Sequence, residues 1–254
     1  MCPCAYVPCA FMKFKSISSR AVLITGGSQR IGQAIALALA GRGFDIALHY
    51  NHSKKEALAL AAQILRKGVR CELFACDLTK EFQVLLLLEK VYKKFPQLNL
   101  LINNASIFLP SEIGHRGLKL LDEHWSVNFK APFILSGEFA RLCRSGQIIN
   151  ILDTKVVKNK TAHAGYLVSK KALHELTKMA AVEWAPRIRV NAVAPGIILP
   201  PSGKGKDYLA KRAKQIPLQK QGDVRYITQS IEFLIDNEFV TGQVIFADGG
   251  EHLI

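Results

Sequence analysis

"AVLITGGSQRIGQAIALALAGRG", residues 21–43, decides the fold. Residues 21–25 form a short apolar run with β-branched members, the composition of a buried strand. "TGGSQRIG", residues 25–32, is a glycine-bearing turn. The segment from Arg30 onward then has helical apolar spacing and ends at Gly41 and Gly43, both candidates for the C-terminal cap. Strand, glycine turn and helix in that order make a cradle for a dinucleotide. Glycine lets the backbone approach a pyrophosphate, and the helix N-terminus supplies N–H donors and positive dipole.

Working outward, the alternation continues. "DIALHY" (45–50), "VRCELFAC" (69–76), "LNLLIN" (98–103), "GQIINIL" (146–152), "RIRVNAVA" (187–194) and "TGQVIFADGG" (241–250) read as strands. Between them lie an amphipathic helix that stops at Gly68, a helix N-capped by Thr79, a long helix filling most of 116–142, and another over about 161–184. This pattern predicts an α/β fold, a single Rossmann-type doubly wound parallel sheet with helices on both faces. No repeat or linker divides residues 20–254, so one domain is expected there. "APGIILPPSGKGKD" (194–207) is the one long irregular stretch and is read as a lid.

The end of the second strand discriminates between cofactors. An NAD site offers an acid there for the ribose 2′-hydroxyl. "HYNHSKK" (49–55) has none; His49, Tyr50, Asn51, His52 and Ser53 offer hydrogen bonds, and Lys54 and Lys55 offer charge. That suits a 2′-phosphate, and NADPH is the expected cofactor.

The first 19 residues carry Cys2, Cys4 and Cys9 but no matching Cys/His pair, so no metal site is expected and the segment reads as a disordered extension, with Met12 an alternative start. Its lysines follow the apolar stretch, unlike a secretory signal. Cys71, Cys76 and Cys143 sit in apolar contexts and read as reduced core thiols, which fits the cytoplasm. No apolar run approaches the roughly 20 residues that span a bilayer. The net charge is +14, but Lys and Arg are scattered without interleaved aromatics, which argues against nucleic acid. One cluster, Lys204, Lys206, Lys211, Arg212, Lys214 and Lys220, suits steering of an anionic ligand.

"DTKVVKNKTAHAGYLVSKKA" (153–172) holds the chemistry. Tyr166 and Lys170 are four apart on a helix and share a face. A free phenol has a pKa near 10, and a neighbouring ammonium lowers it toward a usable acid. Tyr166 would then give the proton that accompanies a hydride.

With these residues in view, the chain resembles the short-chain dehydrogenase/reductases over about 20–254, through "TGGSQRIG", "CDLT", "NNAS", Val127–Asn128, "YLVSK" and "VNAVAPG". The resemblance implies cofactor contacts from Gly26, Ser28, Arg30 and Ile31 in the turn, Asp77 and Leu78 near the adenine, Asn104, Ala105 and Ser106 in "NNAS", Tyr166, Lys170, and Pro195 and Gly196 before the lid. It implies catalytic roles for Tyr166, Lys170 and Asn128, the last organising a proton-relay water, and a homotetramer. Two positions depart from the usual pattern. Arg30 replaces the middle glycine, and Asp153 stands where the catalytic serine is usual; Thr154 is adjacent but off register. Those departures, "HY…S" and Phe108 after "NNAS" resemble the pteridine reductase and dihydromonapterin reductase branch. Arg30, Phe108, Asp153 and Tyr166 are then the expected substrate contacts, with Asp153 joining the catalytic set. The expected reaction is NADPH-dependent reduction of a dihydropterin (dihydromonapterin, dihydrobiopterin or dihydrofolate). The alternatives are a carbonyl reductase of the 3-oxoacyl-carrier-protein type and a catalytically silent NADPH-binding regulator.

Overall fold

The computed structural model describes residues 20–200 and 206–254. β1 (Ala21–Ile24) is buried on both faces, as a continuous apolar strand between two helical layers must be. Its side chains alternate: Val22 and Ile24 enter one core, Ala21 and Leu23 the other. β1 pairs in parallel with β2 (Asp45–Tyr50) on one side and with β4 (Leu98–Asn103) on the other. The full order is β3 (Cys71–Ala75), β2, β1, β4, β5 (Gly146–Ile151), β6 (Ile188–Pro195), β7 (Val244–Ala247), with every pairing parallel. Chain direction across the sheet reverses between β1 and β4. A crevice opens there at the carboxyl ends of the strands.

One face is covered by α1 (Arg30–Gly41), α2 (Lys54–Leu65) and α8 (Val224–Asp236). The other is covered by α3 (Glu81–Lys94), α5 (Ala131–Leu142) and α6 (Ala164–Glu183). The long helix expected over 116–142 is α4 (Leu118–Trp125), then a wide π turn, Ser126–Lys130, then α5. Asn128 lies in that π turn, a distortion that recurs at functional sites.

Three readings are corrected. Thr79 does not cap α3: Lys80 holds that place, and the Thr79 N–H and hydroxyl both donate to Asp77 Oδ1, at 3.0 and 2.8 Å. The irregular stretch does not run through residue 207, because α7 (Lys206–Ala213) begins inside it. And α8 has no counterpart among the expected elements. Its signals were present: Asp223 caps it by accepting from Arg225 N at 2.8 Å, and Ile227, Ile231 and Leu234 recur at helical spacing. Residues 1–19 with their three cysteines, and 201–205 with Lys204, lie outside the described residues. Cys71, Cys76 and Cys143 are free thiols, and desolvation pushes them up to about 12, 11 and 12. No helix among the described residues is long and apolar enough to cross a membrane.

Candidate active site

The glycine turn is clamped to the end of β4. The Thr25 hydroxyl oxygen accepts from the Asn104 and Ala105 N–H groups at 3.0 and 3.1 Å. Asn104 Nδ2 donates to the carbonyls of Thr25 and Gly26, both at 2.9 Å. Gly26 has φ +59, and a Cβ there would stand 2.9 Å from Ala105 Cα. At Gly32 a Cβ would meet the Gly26 carbonyl at 2.3 Å. Only glycine fits either place, and the backbone of the turn is left bare toward the crevice. Arg30, at the usual middle-glycine position, holds φ +53, a left-handed conformation that costs a side-chain-bearing residue about 1–2 kcal/mol.

A cleft of about 720 Å³ opens beside this turn. Gly26, Ser28, Arg30, Ile31, His49, Tyr50, Asn51, His52, Ser53, Leu78, Asn104, Ala105 and Ser106 all line it, together with Gln29, Glu56, Ile107 and Val127, which are not among the expected cofactor contacts. The Ser28 and Ser53 hydroxyls meet at 2.6 Å. Bare backbone, paired hydroxyls and a helix N-terminus are the donor set that a phosphorylated dinucleotide requires.

Several expected contacts are engaged within the chain or lie outside the lining of this cleft. His49 is buried with both ring nitrogens engaged: Nδ1 accepts from Gly26 N and Nε2 donates to the Cys76 carbonyl, each at 3.0 Å. Burial holds its pKa down to about 4, so the ring is neutral and pins the turn, with no nitrogen left for a phosphate. Lys54 and Lys55 are exposed on the first turn of α2, outside the cleft lining. Asp77 is also outside it, with Oδ1 committed to Thr79. Pro195 ends β6, and Gly196 donates to the Ala247 carbonyl at 3.2 Å and packs on Asp248; neither lines the cleft.

The acid, phenol and amine do converge. Asp153 lies two residues past β5 in an extended conformation and caps a single 3-10 turn, Thr154–Val157, its Oδ1 accepting from Lys155 N at 2.8 Å. Its Oδ2 accepts from the Tyr166 hydroxyl at 2.9 Å. Thr154 faces away, donating to Asp248. Tyr166 is 6% exposed, and burial, then the Asp153 charge and hydrogen bond, raise its phenol well above 10. Lys170 is 2% exposed and donates to the Ile151 carbonyl at 2.7 Å. Desolvation lowers it to about 8, against an opposing pull from Asp153. This corrects the expectation that the amine tunes the phenol: burial first, and then the Asp153 carboxylate, keep the phenol protonated.

Asn128 makes four hydrogen bonds. Oδ1 accepts from Ile107 N at 2.9 Å and from the Ser106 hydroxyl at 3.1 Å. Nδ2 donates to the Ile107 carbonyl and the Ser169 hydroxyl, both at 3.1 Å. Its side chain has no capacity left for a water; it ties the loop after β4 to α6. Ser169, unrecognised from the sequence, is the other half of that tie. Phe108, 42% exposed, meets Tyr166 edge-on at 4.7 Å and His163 at 4.2 Å. Its loop is held by fully buried His124, whose Nε2 accepts from Leu109 N at 3.2 Å. The Arg30 guanidinium donates to the Pro200 carbonyl at 3.0 Å, joining the glycine turn to the stretch expected as a lid.

Known proteins share this architecture. A family profile described as enoyl-(acyl carrier protein) reductase matches residues 26–252. A 3-oxoacyl-[acyl-carrier-protein] reductase of Staphylococcus epidermidis is 31% identical, over 92% of this chain and all of the relative. Two solved structures, each of a FolM alternative dihydrofolate reductase 1 with NADP, are 34% identical and cover 94% of this chain and 97% of theirs. The Brucella canis protein has a TM-score of 0.87 and the Brucella suis protein 0.89. A bare glycine turn beside a cleft, the Ser28–Ser53 hydroxyl pair, and Tyr166 and Lys170 buried on one helix thus have a common explanation: the chain belongs to the short-chain dehydrogenase/reductase family and is an NADP-dependent reductase.

Proposed function

We propose that the protein reduces a dihydropterin to its tetrahydro form with NADPH. The observation that carries this reading is the 2.9 Å hydrogen bond from the Tyr166 phenol to Asp153, at the position where the family's carbonyl-reducing pattern has serine. Bound NADPH supplies a hydride. The residues must then favour one charge distribution at the acceptor. Reducing a ketone builds negative charge on oxygen, and a carboxylate at that spot opposes it. Reducing a C=N bond is assisted when the nitrogen is protonated and cationic, and a carboxylate favours that form. Asp153 also offers the acceptor geometry that the amino and ring N–H groups of a pterin need. Tyr166, kept neutral by burial and by Asp153, holds a proton within one hydrogen bond of the carboxylate. Phe108 presents an aromatic surface beside the phenol, and strained Arg30 brings a cation to the crevice from the cofactor side. Support also comes from the two alternative dihydrofolate reductases, which resemble this chain over nearly its full length.

A second reading, reduction of a 3-oxoacyl thioester, is favoured by the Staphylococcus relative. NADPH oxidation measured with dihydrobiopterin, dihydromonapterin, dihydrofolate and a 3-oxoacyl thioester separates the two. Turnover confined to the thioester would remove the pterin reading, and NADPH binding with no turnover on any of them would indicate a silent regulator.

A further inference from the structure

The turn capped by Asp153 also delivers Lys155 to the mouth of the site. Its backbone N–H is fixed on Asp153 Oδ1. Its ammonium lies over the ring of Phe108, 5.4 Å from the centroid. Among the described residues it has no hydrogen-bond acceptor and no carboxylate in ion-pair contact. Three neighbouring cations are engaged elsewhere. Lys170 is on the Ile151 carbonyl, Lys158 on the carbonyls of Glu251 and Ile254, and Arg212 on Glu251 at 3.2 Å. Of the nearby acids, Asp153 is engaged by Tyr166 and the turn, and Glu251 Oε1 by Arg212; Glu251 Oε2 is buried without a hydrogen-bond partner, and Lys155 acts on Glu251 only through space. Lys155 is therefore a cation resting on an aromatic face, in the place a flat heterocycle would take. A ring face is a weaker partner for an ammonium than a carboxylate is. When a heterocycle stacks on Phe108, the ammonium must leave the ring, and an anion carried on the same molecule gives it a stronger partner at the rim.

We propose that Lys155 forms an anion subsite at the mouth of the candidate site and selects dihydropterins whose tail carries a carboxylate over those with a neutral tail. The inference rests on the pterin reading of the same site and names the substrate class within it. A folate-type tail supplies the carboxylate. The +14 charge of the chain favours approach of such a substrate at low salt.

The test uses the full chain with NADPH and two substrates, dihydrofolate with its glutamate tail and dihydrobiopterin with its neutral one. The readout is the ratio of their kcat/KM values in wild type, Lys155→Met and Lys155→Arg. Lys155→Met is expected to lower the ratio of dihydrofolate to dihydrobiopterin about tenfold, through the KM of dihydrofolate. Lys155→Arg restores the ratio, and added salt lowers it in wild type more than in Lys155→Met. A ratio unchanged in Lys155→Met, or equal losses on both substrates, overturns the inference and leaves the pterin reading standing. If wild type reduces neither compound, the pterin reading fails first and takes the inference with it.

Discussion

Replacing Asp153 by serine restores the usual family residue and removes the charge on which the pterin reading depends. Serine is as good a cap as aspartate, so the Thr154–Val157 turn, held by Lys155 N on Asp153 Oδ1, is expected to persist. What is lost is a charge-assisted partner for both Tyr166 and the substrate. Such a hydrogen bond contributes about 1.5–3 kcal/mol, or roughly 10–150-fold in kcat/KM. If the Asp153–Tyr166 pair also moves the proton, loss of general acid catalysis adds about 10²–10⁴. The expected drop on a dihydropterin is therefore at least about 10-fold from the lost partner alone, and at least about 1,000-fold where the pair also moves the proton. Asp153→Asn keeps size and an acceptor oxygen while removing charge, and is expected to be damaged to a similar degree. In both variants the phenol loses the carboxylate that holds it up, so the alkaline limb of residual activity moves to lower pH. NADPH binding, followed by fluorescence, should survive, because Asp153 is not among the residues lining the dinucleotide cleft. The assay is NADPH oxidation at saturating cofactor with varied dihydropterin. Turnover by Asp153→Ser within about threefold of wild type would refute the electrostatic argument.

Three further outcomes are expected. Tyr166→Phe removes the proton held against Asp153 and should cut turnover by about 10²–10⁴ while leaving the Kd for NADPH unchanged; full turnover would eliminate Tyr166 as the acid. Arg30→Gly relieves the left-handed strain of about 1–2 kcal/mol but adds about 0.5–1 kcal/mol of backbone entropy cost, so Tm should rise by only a few degrees while the KM for the pterin increases. A pterin KM equal to wild type would show that Arg30 serves the cofactor alone. His49 is depressed from 6.5 to about 4, so the unfolded chain takes up a proton between those values that the folded chain refuses. Stability therefore falls as pH drops from about 6.5 to 4, by up to about 3 kcal/mol from this group. His124 and His174 shift in the same direction, so urea midpoints of His49→Gln should show a shallower but not flat slope; a slope equal to wild type would show that His49 does not carry it.

What the sequence determined by itself was local and periodic. Strand and helix runs place β1 through β7 because apolar spacing reflects which faces meet a core. Gly26 and Gly32 mark the turn because no other residue fits that backbone. Tyr166 and Lys170 announce themselves because four residues on a helix bring side chains to one face. The helix α8 is legible too, through Asp223 and the 227–231–234 spacing. Other features were decided only when distant segments met. His49 ceased to be a phosphate ligand because Gly26 and the Cys76 carbonyl take its two nitrogens, 23 and 27 residues away in the chain. Lys170 was drawn to the Ile151 carbonyl and left the phenol to Asp153. Lys155 came to lie over Phe108, 47 positions earlier (155 − 108), because the turn after β5 and the loop after β4 share one rim of the crevice. Residue identity sets which bonds a group can make, but the partner it finds depends on tertiary contacts that no local pattern encodes.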